Sequence, residues 1–253
     1  MAAPIVTLLT DFGTADGYVG EVKGAILSAA PHVVVLDITH DIPPHDVESG
    51  RLALARYWRR FPEGTVHLAV VDPGVGGTRA ALAIAAAGRY LVGPDNGALS
   101  PALLAGDARV VAIAVPSSAA PTFHARDVFA PAAAALAMGA EVESLGAPYD
   151  APVVRRTPEA ERCGDGTLRG EVITIDRFGN AITNFLALRD GTVEVTGTVL
   201  PLVRTYADAA PGAIIALCGS TGLIEIAQRD GNAARTLGLS RGAPVLFRAR
   251  GAT

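Results

Sequence analysis

The chain has 253 residues and a formal net charge of −4, and half of its residues are hydrophobic. This size suits one large domain or two smaller ones, and a mildly acidic balance without a basic block argues against a nucleic-acid partner. Cys163 and Cys218 are too few for a disulfide framework, and no apolar run reaches the roughly 20 residues of a membrane span.

The opening MAAPIVTLLTDFG lacks the basic start of a signal peptide, so a soluble, cytoplasmic protein is expected. Residues 5–9 are predicted as a strand that ends at Asp11. Residues 19–29 follow at helical spacing, with Val22, Ala25, Ile26 and Ala29 on one face. A second strand is predicted over 33–38, a helix over 47–61 and a third strand over 66–71. Segments 81–86, 89–92 and 110–115 read as further strands, and 129–138 as an alanine-rich helix. Such alternation predicts an α/β domain over residues 1–150, a mainly parallel sheet flanked by helices. Ligands of these sheets sit beyond the carboxyl ends of the strands. Asp11, Asp37 and Asp72 fall there, so three carboxylates are expected on one rim. The Pro-, Gly- and charge-rich stretch 151–165 reads as a linker. Beyond it the pattern turns to short strands, over 170–175, 192–199, 213–217, 223–227 and 244–249. Residues 166–253 are therefore predicted as a smaller all-β barrel domain.

Several segments carry polar chemistry, each with a plainer alternative. VVDPGVGGTR follows the third strand and carries Asp72, three glycines and Arg79. It has no GK[ST] and does not occupy the first strand–helix turn, so it is neither kind of phosphate loop. It is either an ordinary turn or part of a polar site. His124, in PTFHARDVFAP, stands at the lip of a helix that Asp127 would cap. Alone it reads as packing, but an Asp, an Arg and a His converging in one pocket would hold and polarise a water. In TDFGTADGYVGEVKG, Asp11 is placed to accept both hydrogen bonds of a ribose diol, whereas Asp16 could simply cap the next helix. DITHDIPPHD is dense in His and Asp, yet its Pro-Pro interruption is poor support for a metal site. In IDRFGNAITN, Phe178 could stack on a flat ring while Asp176 and Asn180 bond polar edges, or the segment is a hairpin turn. CGSTGLIEIA puts Ser220 in a tight turn whose N–H groups suit a carboxylate, or in a plain turn.

These segments, together with GPDNG, run in this order from end to end. Jointly they resemble the S-adenosyl-L-methionine (SAM) hydroxide adenosyltransferase family, which is related to the fluorinases and chlorinases. The resemblance implies an N-terminal α/β domain, a C-terminal β-barrel and no metal or organic cofactor. It also implies a homotrimer that holds SAM between the N-terminal domain of one subunit and the C-terminal domain of the next. The implied reaction is hydrolysis of SAM to adenosine and L-methionine, by in-line attack of an activated water on the ribose C5′. Asp72, Arg79 and His124 would orient and activate that water. Asp11 would hold the ribose diol, and Asp16 and Tyr18 would lie near the methionine. Asp176 would meet its amino group and Ser220 its carboxylate, with Phe178 and Asn180 on the adenine side. Halogenase relatives lack the Asp-Arg-His set, and the short segment 84–93 leaves no room for the fluorinase insertion. The alternatives are a chlorinase-like transfer to halide and a non-catalytic module that binds SAM or adenosine.

Overall fold

The computed structural model describes residues 3–188 and 190–250. The chain forms two compact units, Met1–Arg156 and Thr157–Thr253, which divide within the stretch that reads as a linker. The first unit comprises β1 (Ile5–Thr10), α1 (Tyr18–Ala29), β2 (Val34–Thr39), α2 (Val47–Tyr57), β3 (Val66–Val70), β4 (Ala81–Ala86), β5 (Arg89–Pro94), α3 (Ser100–Leu103), β6 (Arg109–Ile113), α4 (Ala130–Ala137) and β7 (Gly146–Pro148). Its sheet has the order β2-β1-β3-β5-β4-β6-β7. The first four strands in that order run parallel, and β4 lies antiparallel between β5 and β6.

Alternation along the strands sends side chains to both faces. Val6 and Leu8 of β1, with Val66, Leu68 and Val70 of β3, pack with Val22 and Ile26 of α1 and with the alanine face of α4. Leu9, Ala69 and Val71 point the other way and join Leu54 and Trp58 beneath α2. The sheet is thus covered on both sides, as its continuous apolar strands require. Helix α2 is shorter than its pattern predicts, because a 3₁₀ turn takes over at Trp58–Arg60. The helix predicted from 129 begins instead as a π turn over Ala125–Phe129, with His124 at its N-cap. Asp127 lies inside that turn and does not cap it; its carboxylate accepts the Ala120 N–H at 2.8 Å and pairs with Arg126.

The second unit comprises β8 (Glu161–Arg162), β9 (Leu168–Ile175), β10 (Ala181–Leu186), β11 (Gly191–Val195), β12 (Thr198–Val203), β13 (Ile214–Cys218), β14 (Leu223–Gln228), α5 (Ala233–Leu237) and β15 (Pro244–Ala249). Seven strands close in the ring β10-β14-β13-β12-β11-β15-β9, completed by β9 pairing with β10, while β8 lies outside on β9. Phe185, Val193, Leu200, Ile226 and Phe247 fill the barrel interior, together with Ala233 and Ala234 of α5. The single strand expected over 192–199 is a hairpin of β11 and β12. Its two turn residues, Thr196 and Gly197, both have positive φ, the backbone that a tight two-residue hairpin needs.

Candidate active site

Asp72 stands two residues beyond β3, at the carboxyl end of the parallel strands. Arg79 folds back onto it across the glycine turn. Arg79 Nε donates to Asp72 Oδ1 at 3.0 Å and Nη2 donates to Oδ2 at 2.5 Å, a bidentate pair. Both side chains are almost buried, at 10% and 6% exposure. The same Nη2 lies 3.0 Å from His124 Nδ1, and the guanidinium also sits 5.2 Å from the centre of the Phe129 ring. The three residues picked out by the sequence therefore meet around one guanidinium.

The glycines of the turn answer a steric need rather than a phosphate. Gly76 has φ +74°, and a Cβ there would lie 2.4 Å from the Pro121 carbonyl oxygen. Only glycine lets the turn dock against the loop that delivers His124 three residues later.

The geometry also fixes the protons. A guanidinium can only donate, so His124 Nδ1 is the acceptor and the ring proton sits on Nε2. Burial, reinforced by the Arg79 charge, lowers the His124 pKa below the ordinary histidine value, although Asp72 and Asp127 pull it partly back. The imidazole is therefore neutral at pH 7 and presents an N–H.

The other candidates in this unit flank the set. Asp11 follows β1, and its Oδ2 accepts the His45 N–H at 2.8 Å. His40 holds both sides of Asp11: its Nδ1 lies 2.8 Å from Thr10 Oγ1, and its carbonyl accepts the Gly13 N–H. Asp37 of the expected rim is taken up by an ion pair with Lys23 at 2.6 Å. In DITHDIPPHD, Asp46 caps α2 by accepting the Ser49 N–H, and no group of three or more metal-ligating side chains occurs among the described residues. Asp16 is exposed and does not cap α1, whose N-cap is Gly17 without a side-chain bond. Tyr18, 49% exposed, meets Phe123 edge-on at 5.3 Å, and Phe12 touches both rings. This aromatic cluster ties the Asp11 loop and the start of α1 to the residue preceding His124.

In the second unit, Asp176 organises the β9–β10 turn. Its Oδ1 accepts the backbone N–H groups of Phe178 and Asn180, and its Oδ2 accepts Asn180 Nδ2 at 3.0 Å. Phe178 is 76% exposed. It lines a cavity of about 790 Å³ with Asn180, Tyr206, Gln228, Arg229 and Asn232. Gly179, at φ +86°, packs on the Asn232 side chain, where a Cβ would have no room. Ser220 is exposed in the Gly219–Gly222 turn, whose ends are joined by Gly222 N–H to Gly219 O at 3.0 Å.

Two residues missed by sequence reasoning link these turns. Asn180 Nδ2 donates to Tyr206 Oη at 3.4 Å, which donates to Glu225 Oε2 at 3.1 Å. Glu225 lies against Gly219, where a Cβ would overlap its Oε1. The one sequence signal was a charge interrupting the apolar run LIEIA. Burial and the nearby Glu225 and Asp176 carboxylates push the Tyr206 phenol up to about 12.

The molecule is thus a two-unit protein: an α/β sheet that carries a buried Asp–Arg–His set, and a β-barrel with a cavity beside polar turns. The N-terminal domain of the SAM hydroxide adenosyltransferases matches residues 6–146 and the C-terminal domain matches residues 170–246, and the chain belongs to this family. An (R)-S-adenosyl-L-methionine hydrolase of Thermus thermophilus is 44% identical over 95% of this chain and 98% of its own length. A fluorinase of Nocardia brasiliensis is 30% identical over 96% of each chain. The crystal structure of an uncharacterized conserved protein from Thermotoga maritima superposes with a TM-score of 0.88 at 31% identity, covering 97% of this chain and all of that one.

Proposed function

We propose that this protein hydrolyses SAM to adenosine and L-methionine, with water attacking the ribose C5′ in line with the bond to sulfur. The observation that carries the reading is the Asp72–Arg79–His124 set with its assigned protons. The sulfonium leaves as a neutral thioether when the C5′–S bond breaks and its electron pair moves to sulfur. The leaving group therefore needs no acid. The nucleophile needs orientation, and its oxygen must shed a proton. His124 offers an N–H at Nε2, which can hold the water oxygen, while its Nδ1 lone pair is occupied by Arg79. It is thus a donor, and the proton acceptor is Asp72. Each Asp72 oxygen takes one bond from Arg79 and retains a second lone pair. Fixing the water against C5′ contributes several kcal/mol, up to about 7–11 in favourable cases.

Asp11 is assigned to the ribose diol, with Asp16 and Tyr18 near the methionine. Asp176 is assigned to its amino group, Ser220 to its carboxylate, and Phe178 and Asn180 to adenine. The chemistry asks for no metal or organic cofactor. We assign the enzyme to the cytoplasm as a homotrimer, with each active site at a subunit interface. Val34 and Leu36 on the edge strand β2, 41% and 39% exposed, are apolar surface suited to such an interface.

Two observations disfavour halide as nucleophile. A halide carries no proton for Asp72 to accept and would meet a carboxylate. Alignment with the fluorinase also spans 287 positions against 254 with the hydrolase, so this 253-residue chain needs extra gaps to match the fluorinase, which argues against fluoride in particular. The test is chromatography of SAM incubated with the protein, with and without chloride, using each sulfonium epimer. Adenosine and methionine in equal amounts, independent of chloride and formed from the R epimer, are expected. A chlorinated nucleoside would move the protein to the halogenases, and tight binding without turnover would make it a SAM-binding module.

A further inference from the structure

The GPDNG segment, which ends β5 and turns beyond it, contains none of the residues assigned above, yet it holds the backbone on both sides of the Asp72–Arg79 pair. Asn96 Nδ2 donates to the carbonyl of Val71, the residue before Asp72, at 2.8 Å. The Asp95 N–H donates to the carbonyl of Ala80, the residue after Arg79, at 2.9 Å, and Arg79 Nη1 reaches the same carbonyl at 3.4 Å. The turn is itself braced. Asn96 Oδ1 accepts the Ala98 N–H, and Arg155 Nε donates to the Asn96 carbonyl at 2.9 Å. The Arg155 stem fills the space where a Gly97 Cβ would stand. Asp95 is nearly buried, and its two carboxylate oxygens accept the Val153 N–H at 2.7 Å and the Tyr149 hydroxyl at 3.1 Å. This turn therefore joins the two ends of the 72–79 loop to the segment through which the chain leaves the first unit.

We infer that Asn96 is a positioning residue for Asp72: its amide fixes the Val71 carbonyl, just beyond β3, and so the direction in which the Asp72 side chain leaves the backbone. The inference rests on the hydrolase reading for its kinetic consequence but not for its structural one. Asn96→Asp separates the roles, because a carboxylate still accepts the Ala98 N–H but has no donor for Val71. In the full-length protein the variant is expected to lower kcat for SAM hydrolysis about 10²-fold, the scale of a misplacement near 1 Å, with KM within threefold.

A second readout does not need turnover. The His124 ring nitrogens, assigned in ¹⁵N spectra by comparison with His124→Gln, should show the Nε2–H form in the parent protein. In Asn96→Asp they should move as Asp72 and Arg79 shift. Should Asn96→Asp not fold, Asn96→Ser, whose hydroxyl can still donate, serves in both measurements and should give a smaller change in the same direction. A folded variant with parent kcat and parent His124 signals overturns the inference, as does a loss of activity that only tracks the unfolded fraction. If the parent protein leaves SAM intact, the hydrolase reading fails and the His124 spectra alone decide the positioning role.

Discussion

Arg79 satisfies a carboxylate, an imidazole and a backbone carbonyl with one planar fork, a task that lysine, with its single ammonium, does not reproduce. Removing a partner from so buried a pair leaves an uncompensated charge, which costs about 3–5 kcal/mol. Asp72→Asn keeps the shape and loses the proposed proton acceptor. Its kcat is expected to fall by about 10²–10⁴, the usual range for a general base, with little change in KM. A rise in KM with kcat intact would show that Asp72 binds rather than activates. His67 makes a separate case, fully buried in β3 with its Nδ1 2.8 Å from Thr7 Oγ1. Burial lowers its pKa to about 4. The unfolded chain takes up this proton near pH 6.5, well before the native state does. The stabilisation is therefore complete above pH 6.5 and is lost as pH falls towards 4, a swing on the order of 3 kcal/mol. Urea midpoints measured from pH 7 to 4.5 should fall for the parent protein and flatten for His67→Gln. Equal slopes in both would remove His67 from the account.

Among the elements, the 72–79 turn depends most on one residue that bears no chemistry. Gly76→Ala would place a methyl group against the Pro121 carbonyl in a left-handed conformation. The expected cost is about 1–3 kcal/mol of stability. Activity should fall by more than the unfolded fraction explains, because the Pro121 loop carries His124. In contrast, Gly24 lies exposed within α1 with open space at its Cβ position, so Gly24→Ala should raise stability by about 0.5–1 kcal/mol. Thermal denaturation of both variants checks the pair.

The same elements show what the sequence made legible. The strands β1 and β3 are short apolar runs ending at acids, and the seven-residue spacing of Asp72 and Arg79 is fixed by one turn, so both could be read directly. His124 comes from a distant loop, and only the order of the motifs along the chain pointed to it. The strand β10 was hidden because Thr183 and Asn184 interrupt its apolar run; they bond the Ile224 carbonyl and the Glu171 N–H instead. The β11–β12 turn was hidden by Thr196, a β-branched residue at positive φ. Tyr206 sits in a segment with no periodicity, so nothing announced its bond to Glu225.

At the scale of the whole molecule, each unit has its own core. The barrel is closed by pairings among its own strands, so a fragment of residues 157–253 should fold alone, with a cooperative melt and dispersed amide spectra. A fragment that stays unfolded would show that closure needs the first unit. Light scattering of the full chain should give three times the 25.8 kDa subunit mass, and a monomeric mass would remove the interface site from the proposal.

The turn that passes the chain from β9 to β10 is both a corner of the barrel and a lip of the cavity beside Phe178. A molecule that binds there to the closed ring and not to the unfolded chain would make the barrel more resistant to heat. At a ligand concentration a hundred times its dissociation constant, binding to the native state alone contributes about 2.7 kcal/mol. The barrel is thus its own thermometer, and a melting scan against a panel of nucleosides would rank them before any turnover is measured.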